Sequence, residues 1–360
     1  RSPAARRAFP CRISETVHLF RFDDGRALDD PAAWPRRRAE LLKPLMEIEY
    51  GALPPTPTST RGELLATSRP KRFHGAKTAQ YRVVTEDVAG SCAMRLDLTW
   101  PEALAPCPVI LTGDGCWRYV TDEVTRVVLE HGYMLAEFSR TEVVPDIGPG
   151  GRAMGLHTVY GDEFGAIAAW AWGYHRCVDV LGKVGEADAE RIAVIGHSRG
   201  GKASLLAGAS DERIALTAAN DSGCGGAGCF RVQGEDSEDL AAILKTCPQW
   251  FAKGLEGYVG REEALPFDQH GLKAAVAPRP LLTTEALGDL WANPRGTWAS
   301  YEAARAMYRF LGVEDRIGIH YRPGGHALTL SDFQVLLSFA DWHLRGIQPP
   351  LRFDRNPFEG

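Results

Sequence analysis

The chain has 360 residues, a formal net charge of −5 at pH 7, 44% hydrophobic residues and 24% charged residues. These values are typical of a globular protein that is long enough to bury a large core. The acidic balance, without a dense stripe of Lys and Arg, argues against nucleic acid as a partner. The sequence contains no apolar run as long as a membrane span, which argues against a membrane partner.

The start of the chain and the cysteines bear on compartment and cofactors. Residues 1–10 lack the apolar segment of a signal peptide, so we expect none in this chain. The eight cysteines are too sparse for a disulfide scaffold. None stands in a Cys-x-x-Cys pair or in a Cys/His cluster with zinc spacing, so we expect neither a metal nor a cofactor. Cys224, Cys229 and Cys247 could form one or two disulfides in an exported protein, and buried thiols are the alternative.

The elements follow in chain order. Residues 1–75 are rich in Pro and Arg with one helical stretch, 34–49, and we interpret them as an N-terminal arm packed on a catalytic domain, 76–350. In that domain apolar runs alternate with helical patterns, which predicts an α/β fold whose mostly parallel sheet has helices on both faces. The expected strands are 80–85, 93–99, 109–111, 133–138, 192–195, 214–219, 280–286 and 317–321. The expected helices are 121–131, 163–181, 202–208, 237–244, 268–276, 296–311 and 332–344.

The most informative stretch is residues 192–202. An apolar β-branched run breaks at Gly196, presents Ser198, breaks again at Gly200 and continues as a helix of small residues. This Gly-x-Ser-x-Gly pattern between a strand and a helix is typical of a nucleophile elbow, which lifts the serine hydroxyl above the sheet edge. The glycines are needed because the turn is strained and leaves no room for a Cβ. The stretch predicts a serine hydrolase, and a plain glycine-rich turn is the alternative.

A serine nucleophile needs a base and an acid. His326 follows the strand 317–321 in a Pro-Gly-Gly-His loop, on the same sheet edge as Ser198. Asp289, after the strand 280–286, and Asp221, after the strand that follows the elbow, are both candidates for the acid that orients the histidine. We favour Asp289 because an acid at the end of the strand just before the histidine strand matches the general order of this fold. Two acids around one histidine remain an alternative.

An oxyanion needs donors aimed at it. The amide of Arg199 is in place directly after the nucleophile, and its guanidinium could reach the same oxygen or a substrate carboxylate, although a surface ion pair is the alternative. We expect a second donor from the loop 112–116. The side chain of His197 is expected to point away from the nucleophile. Trp250 is expected in the core.

Several segments carry a resemblance to a known family. They are 163–173, 196–202, 220–226, 265–270, 277–282, 289–296 and 322–326. Together they resemble the glucuronoyl esterases, carbohydrate esterase family 15, a bacterial-type branch of the α/β-hydrolase superfamily. The resemblance runs from about 109 to 344 and is looser in the N-terminal third.

The resemblance implies an α/β-hydrolase fold with an N-terminal extension, no cofactor, and a serine esterase that cleaves esters of 4-O-methyl-glucuronic acid on xylan with lignin alcohols. It implies a uronic acid ester of xylan or lignin–carbohydrate material as the partner, a monomer, and secretion or a periplasmic location. The implied roles are Ser198 as nucleophile, His326 as base, Arg199 as oxyanion donor, and Lys202, Glu235 and Trp291 as sugar contacts.

Some positions depart from the family pattern. Many members have Glu where this chain has Asp221, Gln233 replaces an expected Arg, and Gln249 stands where His is frequent. His197 and Ala327 occupy the places of two cysteines in fungal members. Substrate preference could therefore differ, and the alternatives are another carbohydrate esterase activity such as deacetylation of xylan, or an inactive homologue that only binds polysaccharide.

Overall fold

The structure is a computed structural model that describes residues 18–359. A sheet of nine strands in the order β1-β2-β3-β5-β4-β6-β7-β8-β9 forms its centre. β1, β2 and β3 pair antiparallel with one another, and β3 pairs antiparallel with β5. The remaining neighbours, β5, β4, β6, β7, β8 and β9, pair in parallel. The strands are β1 Ser59–Ser68, β2 Ala76–Asp87, β3 Gly90–Pro101, β4 Cys107–Thr112, β5 Met134–Phe138, β6 Ala187–His197, β7 Leu216–Asn220, β8 Leu281–Ala286 and β9 Ile317–Arg322.

Helices cover both faces of this sheet. They are α1 Trp34–Pro44, α2 Asp122–Glu130, α3 His157–Tyr160, α4 Ala166–Leu181, α5 Arg199–Ser210, α6 Leu240–Thr246, α7 Gln269–Ala274, α8 Pro294–Phe310 and α9 Leu330–Arg345. The alternation along β4 shows the two layers: Val109 and Leu111 join the core under α4 and α5, whereas Ile110 joins the core under α2 and α9. A buried parallel sheet needs such an apolar run. The predicted mostly parallel α/β-hydrolase sheet is therefore confirmed. Within residues 18–359, none of the helices has the length and apolar character to span a membrane.

The N-terminal part of the described chain packs on the helices behind the sheet. The indole of Trp34 donates a hydrogen bond to the carbonyl of Ala277 at 3.1 Å. The guanidinium of Arg38 donates to the carbonyls of Ala275 and Ala209, each at 2.6 Å. Residues 1–17 of the predicted arm lie outside the described residues. The division into an arm, 1–75, and a catalytic domain, 76–350, stays a prediction.

Two local features differ from the expected elements. Strand β1 was not expected; it pairs with β2 at the edge of the sheet and is almost entirely exposed, so it lacks the apolar alternation that marks a half-buried strand. The expected helix 34–49 is α-helical to Pro44 and continues as a π-helix, Leu45–Tyr50. Among the described residues no disulfide is present: Cys224 and Cys247 are thiols, and the thiol of Cys229 donates to the carbonyl of Val232 at 3.6 Å.

The contact between α5 and β7 yields a stability prediction. A Cβ on Gly208 would overlap Thr217 Oγ1 and lie 2.7 Å from both its Cβ and its Cγ2, so rotation of the threonine brings no relief. Gly208→Ala should therefore lower the free energy of unfolding by about 1–3 kcal/mol through overpacking. Gly182→Ala is the matched control, because its new Cβ would meet only ordinary contacts, the nearest being the carbonyl oxygen of Val178 at 3.5 Å. Urea unfolding measures both, and equal midpoints for the two variants would contradict the packing argument.

Candidate active site

Ser198 lies in the tight turn between β6 and α5. Its backbone angles, φ 56° and ψ −122°, lie in a region that non-glycine residues rarely adopt. Such a conformation costs about 1–3 kcal/mol and persists only where the surroundings hold it. A Cβ on Gly196 would overlap the carbonyl oxygen of Gly200, and a Cβ on Gly200 would overlap the carboxylate of Asp114. The two glycines thus allow the close approach that the elbow needs.

Hydrogen bonds from neighbouring strands hold the elbow. The buried carboxylate of Asp114, which follows β4, accepts the backbone N–H of His197 at 2.7 Å and forms an ion pair with the buried guanidinium of Arg140. The backbone N–H of Ser198 donates to the carbonyl of Asn220 at 2.8 Å. The strained serine is therefore fixed from both sides of β6.

His326 is bonded to Asp289. Its Nδ1 lies 2.5 Å from Asp289 Oδ2, and the backbone of Gly288 donates to the carbonyl of Gly324, so the two loops are tied together. Because the carboxylate accepts the Nδ1 proton, Nε2 carries the lone pair that a general base uses. The bond to Asp289 raises the pKa of His326, and partial burial opposes the rise.

His197 contacts the same imidazole. We expected its side chain to point away from the nucleophile, which stays a prediction; its ring lies 4.5 Å from the ring of His326, centroid to centroid. Its Nδ1 lies 2.5 Å from Asn220 Oδ1, and the ring of Tyr119 packs edge-on against it. Burial, and next the charge of His326, lower the pKa of His197 to about 4. At neutral pH it is an uncharged aromatic neighbour of His326.

Asp221 lies beside this pair but has other partners. Its Oδ1 accepts the backbone N–H of Ala286 at 2.7 Å, and its Oδ2 accepts from the guanidinium of Arg322 at 3.2 Å. Polar atoms of Asp221, Asp289 and His326 all lie within 4.8 Å of one another. Burial, assisted by the negative charge of Asp289, raises the pKa of Asp221. Of the two candidate acids, the structure thus brings Asp289 to the histidine and directs Asp221 to Arg322.

The side chain of Arg199, the residue after the nucleophile, is held by a carboxylate and two aromatic rings. Its Nη1 donates to Asp146 Oδ2 at 2.7 Å, and its guanidinium lies 4.7 Å from the ring centroid of Trp250 and 5.5 Å from that of Trp117. Trp250 is buried, as expected, but its indole N–H also donates to Asp146 Oδ1 at 2.9 Å. Trp250 therefore forms a wall of the site as well as part of the core.

Three backbone amides of the loop 112–116 are hydrogen-bonded within the protein. The amide of Gly113 donates to the hydroxyl of Tyr174 at 2.8 Å, that of Asp114 to Thr112 Oγ1 at 3.3 Å, and that of Gly115 to the carbonyl of Phe138 at 3.1 Å. These three amides are already bonded and do not serve as the expected second oxyanion donor. The role of Arg199 as oxyanion donor stays a prediction.

Lys202 lies one helical turn beyond the nucleophile and is 4% exposed. Its ammonium donates to the carbonyls of Ser222 at 2.5 Å and Cys224 at 2.6 Å. An ammonium has three donors, so one N–H remains for a ligand. Burial lowers the pKa of Lys202, and the charge of Glu238 opposes this.

Among the acidic side chains, Glu238 has the largest electrostatic effect on Lys202. Its carboxylate accepts a hydrogen bond from the side chain of Trp291. Burial raises the pKa of Glu238, and the positive charges of Lys202 and Arg199 oppose this rise. Its backbone N–H donates to the carbonyl of Trp291 at 3.0 Å. Glu235, which the resemblance indicated, is exposed, and its role as a sugar contact stays a prediction. We call Lys202, Glu238 and Trp291 the Lys202 cluster. Trp291 is 53% exposed, so its ring is open to a ligand.

Fold and site together define a serine hydrolase with the α/β-hydrolase fold. A nucleophile elbow and a histidine–carboxylate pair are parts that acyl transfer needs. A family model described as "Glucuronyl esterase, fungi" matches residues 83–312. The chain belongs to the glucuronoyl esterases, carbohydrate esterase family 15.

Three similar proteins illustrate the match. Carbohydrate esterase MZ0003, from an unknown prokaryotic organism, is 41% identical over 199 residues; the match covers 51% of this chain and 46% of that relative, about half its length. The 4-O-methyl-glucuronoyl methylesterase 1 of Wolfiporia cocos is 30% identical over 321 residues, 86% of this chain and 74% of the relative. The glucuronoyl esterase structure from Caldicellulosiruptor kristjansonii has a TM-score of 0.81 and 32% identity, and the superposition covers 95% of this chain and 93% of that chain.

The two acids make different predictions. Asp289→Asn should lower kcat by about three to four decades, because the amide no longer holds the Nδ1 tautomer or stabilises the imidazolium. Since the bond to Asp289 raises the pKa of His326, the acidic limb of the kcat/KM profile should also move to lower pH. Asp221→Asn should cost far less and move that limb less, because the charge of Asp221 raises the pKa of His326 less than Asp289 does. Steady-state kinetics across pH would contradict this account if the two variants ranked the other way round.

Proposed function

We propose that this chain hydrolyses esters of glucuronic acid and of 4-O-methyl-glucuronic acid, such as those between xylan and lignin alcohols, through an acyl-enzyme on Ser198. The observation that carries the proposal is the position of the Lys202 cluster, which begins one helical turn beyond the nucleophile and ends two residues beyond Asp289. Family membership and the activity named for the Wolfiporia cocos relative support the same substrate.

Acylation follows from the hydrogen bonds around His326. The hydroxyl oxygen of Ser198 attacks the ester carbonyl carbon, and its proton passes to Nε2 of His326. Asp289 stabilises the imidazolium that results. The negative charge on the carbonyl oxygen is met by the guanidinium and the amide of Arg199. When the tetrahedral intermediate collapses, the C–O bond to the alcohol breaks and Nε2 gives its proton to the leaving oxygen.

Deacylation repeats these steps with water. Nε2 of His326 removes a proton from a water molecule as the water oxygen attacks the acyl carbon. The second tetrahedral intermediate collapses, the bond to Ser198 breaks, and the serine oxygen recovers the proton. The product is a uronic acid, which ionises at neutral pH. The steps need no cofactor.

The Lys202 cluster supplies recognition of the sugar. A charged hydrogen-bonding group suits the hydroxyls of a pyranose ring, and an exposed indole suits its C–H face. The remaining N–H of Lys202 and the carboxylate of Glu238 would bond to hydroxyls, with Trp291 packed beside the ring. Glu238 replaces Glu235 in this proposal because Glu238 is partly buried and interacts with Lys202 and Trp291, whereas Glu235 is exposed.

The setting of the enzyme follows from the substrate. The esters are part of xylan and lignin–carbohydrate material, which lies outside cells. We therefore propose that the protein acts after export, in the periplasm or the medium. We also propose that it acts as a monomer.

The activity is tested with the purified chain on benzyl glucuronate, methyl glucuronate and acetyl-xylan, and Ser198→Ala is the control. We expect alcohol release from both glucuronate esters, a drop of several decades in the Ser198→Ala variant, and little acetate from acetyl-xylan. Release of acetate without hydrolysis of either glucuronate ester would replace the proposal with a deacetylase. Binding of xylan without any turnover would leave only a binding protein.

The sugar contacts make a separate prediction. Glu238→Gln should raise KM for benzyl glucuronate by about threefold to tenfold, because the amide still forms a hydrogen bond but without the charge that makes it about twice as strong. Glu235→Gln, the matched change at the neighbouring acid, should leave KM near the wild-type value. A larger KM effect at Glu235 than at Glu238 would return the sugar contact to the residue that the resemblance indicated.

A further inference from the structure

We infer that Asp146 is a positioning residue for Arg199, and that its negative charge also limits how tightly the site retains the carboxylate product. The inference rests on the proposed function. It concerns a side chain that no motif in the sequence singles out.

Both oxygens of Asp146 are used, each by a different partner. Oδ2 accepts from Nη1 of Arg199 at 2.7 Å, and Oδ1 accepts from the indole of Trp250 at 2.9 Å. The Asp146 side chain is 6% exposed, whereas that of Arg199 is 33% exposed. The carboxylate is therefore a buried anchor, and the guanidinium extends from it toward the open side of the site.

The segment that carries Asp146 is itself held in place. The indole of Trp170 donates to the carbonyl of Val144 at 2.9 Å, and the backbone N–H of Leu156 donates to the carbonyl of Val143 at 2.8 Å. A Cβ on Gly155 would overlap the carbonyl oxygen of Val143, which shows how closely the returning chain packs. Asp146 thus transmits a rigid position from the core to Arg199.

Two aromatic rings also lie near the guanidinium. The guanidinium carbon of Arg199 lies 4.7 Å from the ring centroid of Trp250 and 5.5 Å from that of Trp117. The hydrogen bond from Nη1 to Asp146 and the two ring contacts together restrict rotation about the terminal side-chain bonds of Arg199. An oxyanion donor works best when it is oriented before the reaction begins, because no reorganisation is then needed in the transition state.

The charge of Asp146 has a second consequence. The ester is neutral and its product is a carboxylate, formed next to the cations Arg199 and Lys202. A guanidinium without a counter-ion binds a carboxylate strongly and in a bidentate manner. Tight binding of the product does not help the chemical step and slows release. Pairing Arg199 with Asp146 keeps the oriented donor for the oxyanion while it offsets the charge that would retain the product.

The test is Asp146→Asn, which keeps the shape of the side chain but turns an N–H₂ group toward one of two donors. We expect kcat on benzyl glucuronate to fall by about tenfold to a hundredfold, a part of the loss seen when an oxyanion donor is removed. We expect the inhibition constant of free glucuronate to fall by roughly fivefold, since a partly exposed cation loses its counter-ion. Tighter inhibition is a gain of affinity that a misfolded protein would not show.

A double-mutant cycle separates this role from a general structural one. If Asp146 acts through Arg199, Asp146→Asn should change neither kcat nor the inhibition constant further in an Arg199→Ala background. Asp354→Asn is the matched control, because Asp354 pairs with Arg352 at 2.9 Å on the surface and touches none of the site residues. That variant should retain wild-type values.

The outcomes are distinguishable from failure of the proposed function. A wild-type enzyme inactive on glucuronate esters would overturn the proposed function. An active wild type whose Asp146→Asn variant has unchanged kcat, or has unchanged or weaker inhibition by glucuronate, would overturn the present inference alone. So would a loss of kcat that persists in full when Arg199 is already Ala.

Discussion

The buried carboxylate of Asp114 is the contact on which the rest of the site depends. It accepts the backbone N–H of His197 at 2.7 Å, pairs with Arg140, and lies so close to Gly200 that a Cβ there would overlap it. Three strands and the start of α5 meet at this one group. Because the elbow is strained by about 1–3 kcal/mol, it persists only where such contacts hold it. The position of the nucleophile is therefore fixed by a buried contact and not by contacts at the surface.

Above the elbow, three carboxylates of the site each bond to a different basic side chain, and Arg322 also pairs with Asp332. Asp289 bonds to His326, Asp221 to Arg322, and Asp146 to Arg199. Because Asp221 and Asp146 have other partners, Asp289 alone of the three bonds to the imidazole. Each carboxylate also fixes the orientation of its partner side chain. Hydrogen bonds that carry charge are about twice as strong as neutral ones, so they fix geometry well in a partly buried site. The uncharged ring of His197 completes the contacts of His326 without adding a cation.

The sequence was sufficient for the parallel strands, the elbow and the His326 loop, because each is a local pattern of apolar runs and glycines. It was insufficient where a contact joins distant segments. Asp146 is 53 residues from Arg199 and 104 from Trp250, and nothing in its own neighbourhood marks it. Between Glu235 and Glu238 the choice depended on which side chain turns inward. Strand β1 was missed because an exposed edge strand carries no apolar alternation.

The most direct test of the account is a crystal structure of the Ser198→Ala variant with methyl glucuronate. The account predicts the ester carbonyl carbon about 3–3.5 Å from the position of the missing hydroxyl, its oxygen facing Arg199, and the ring between Lys202 and Trp291. A uronate bound with its ester away from residue 198, or a ring that makes no contact with the Lys202 cluster, would contradict it.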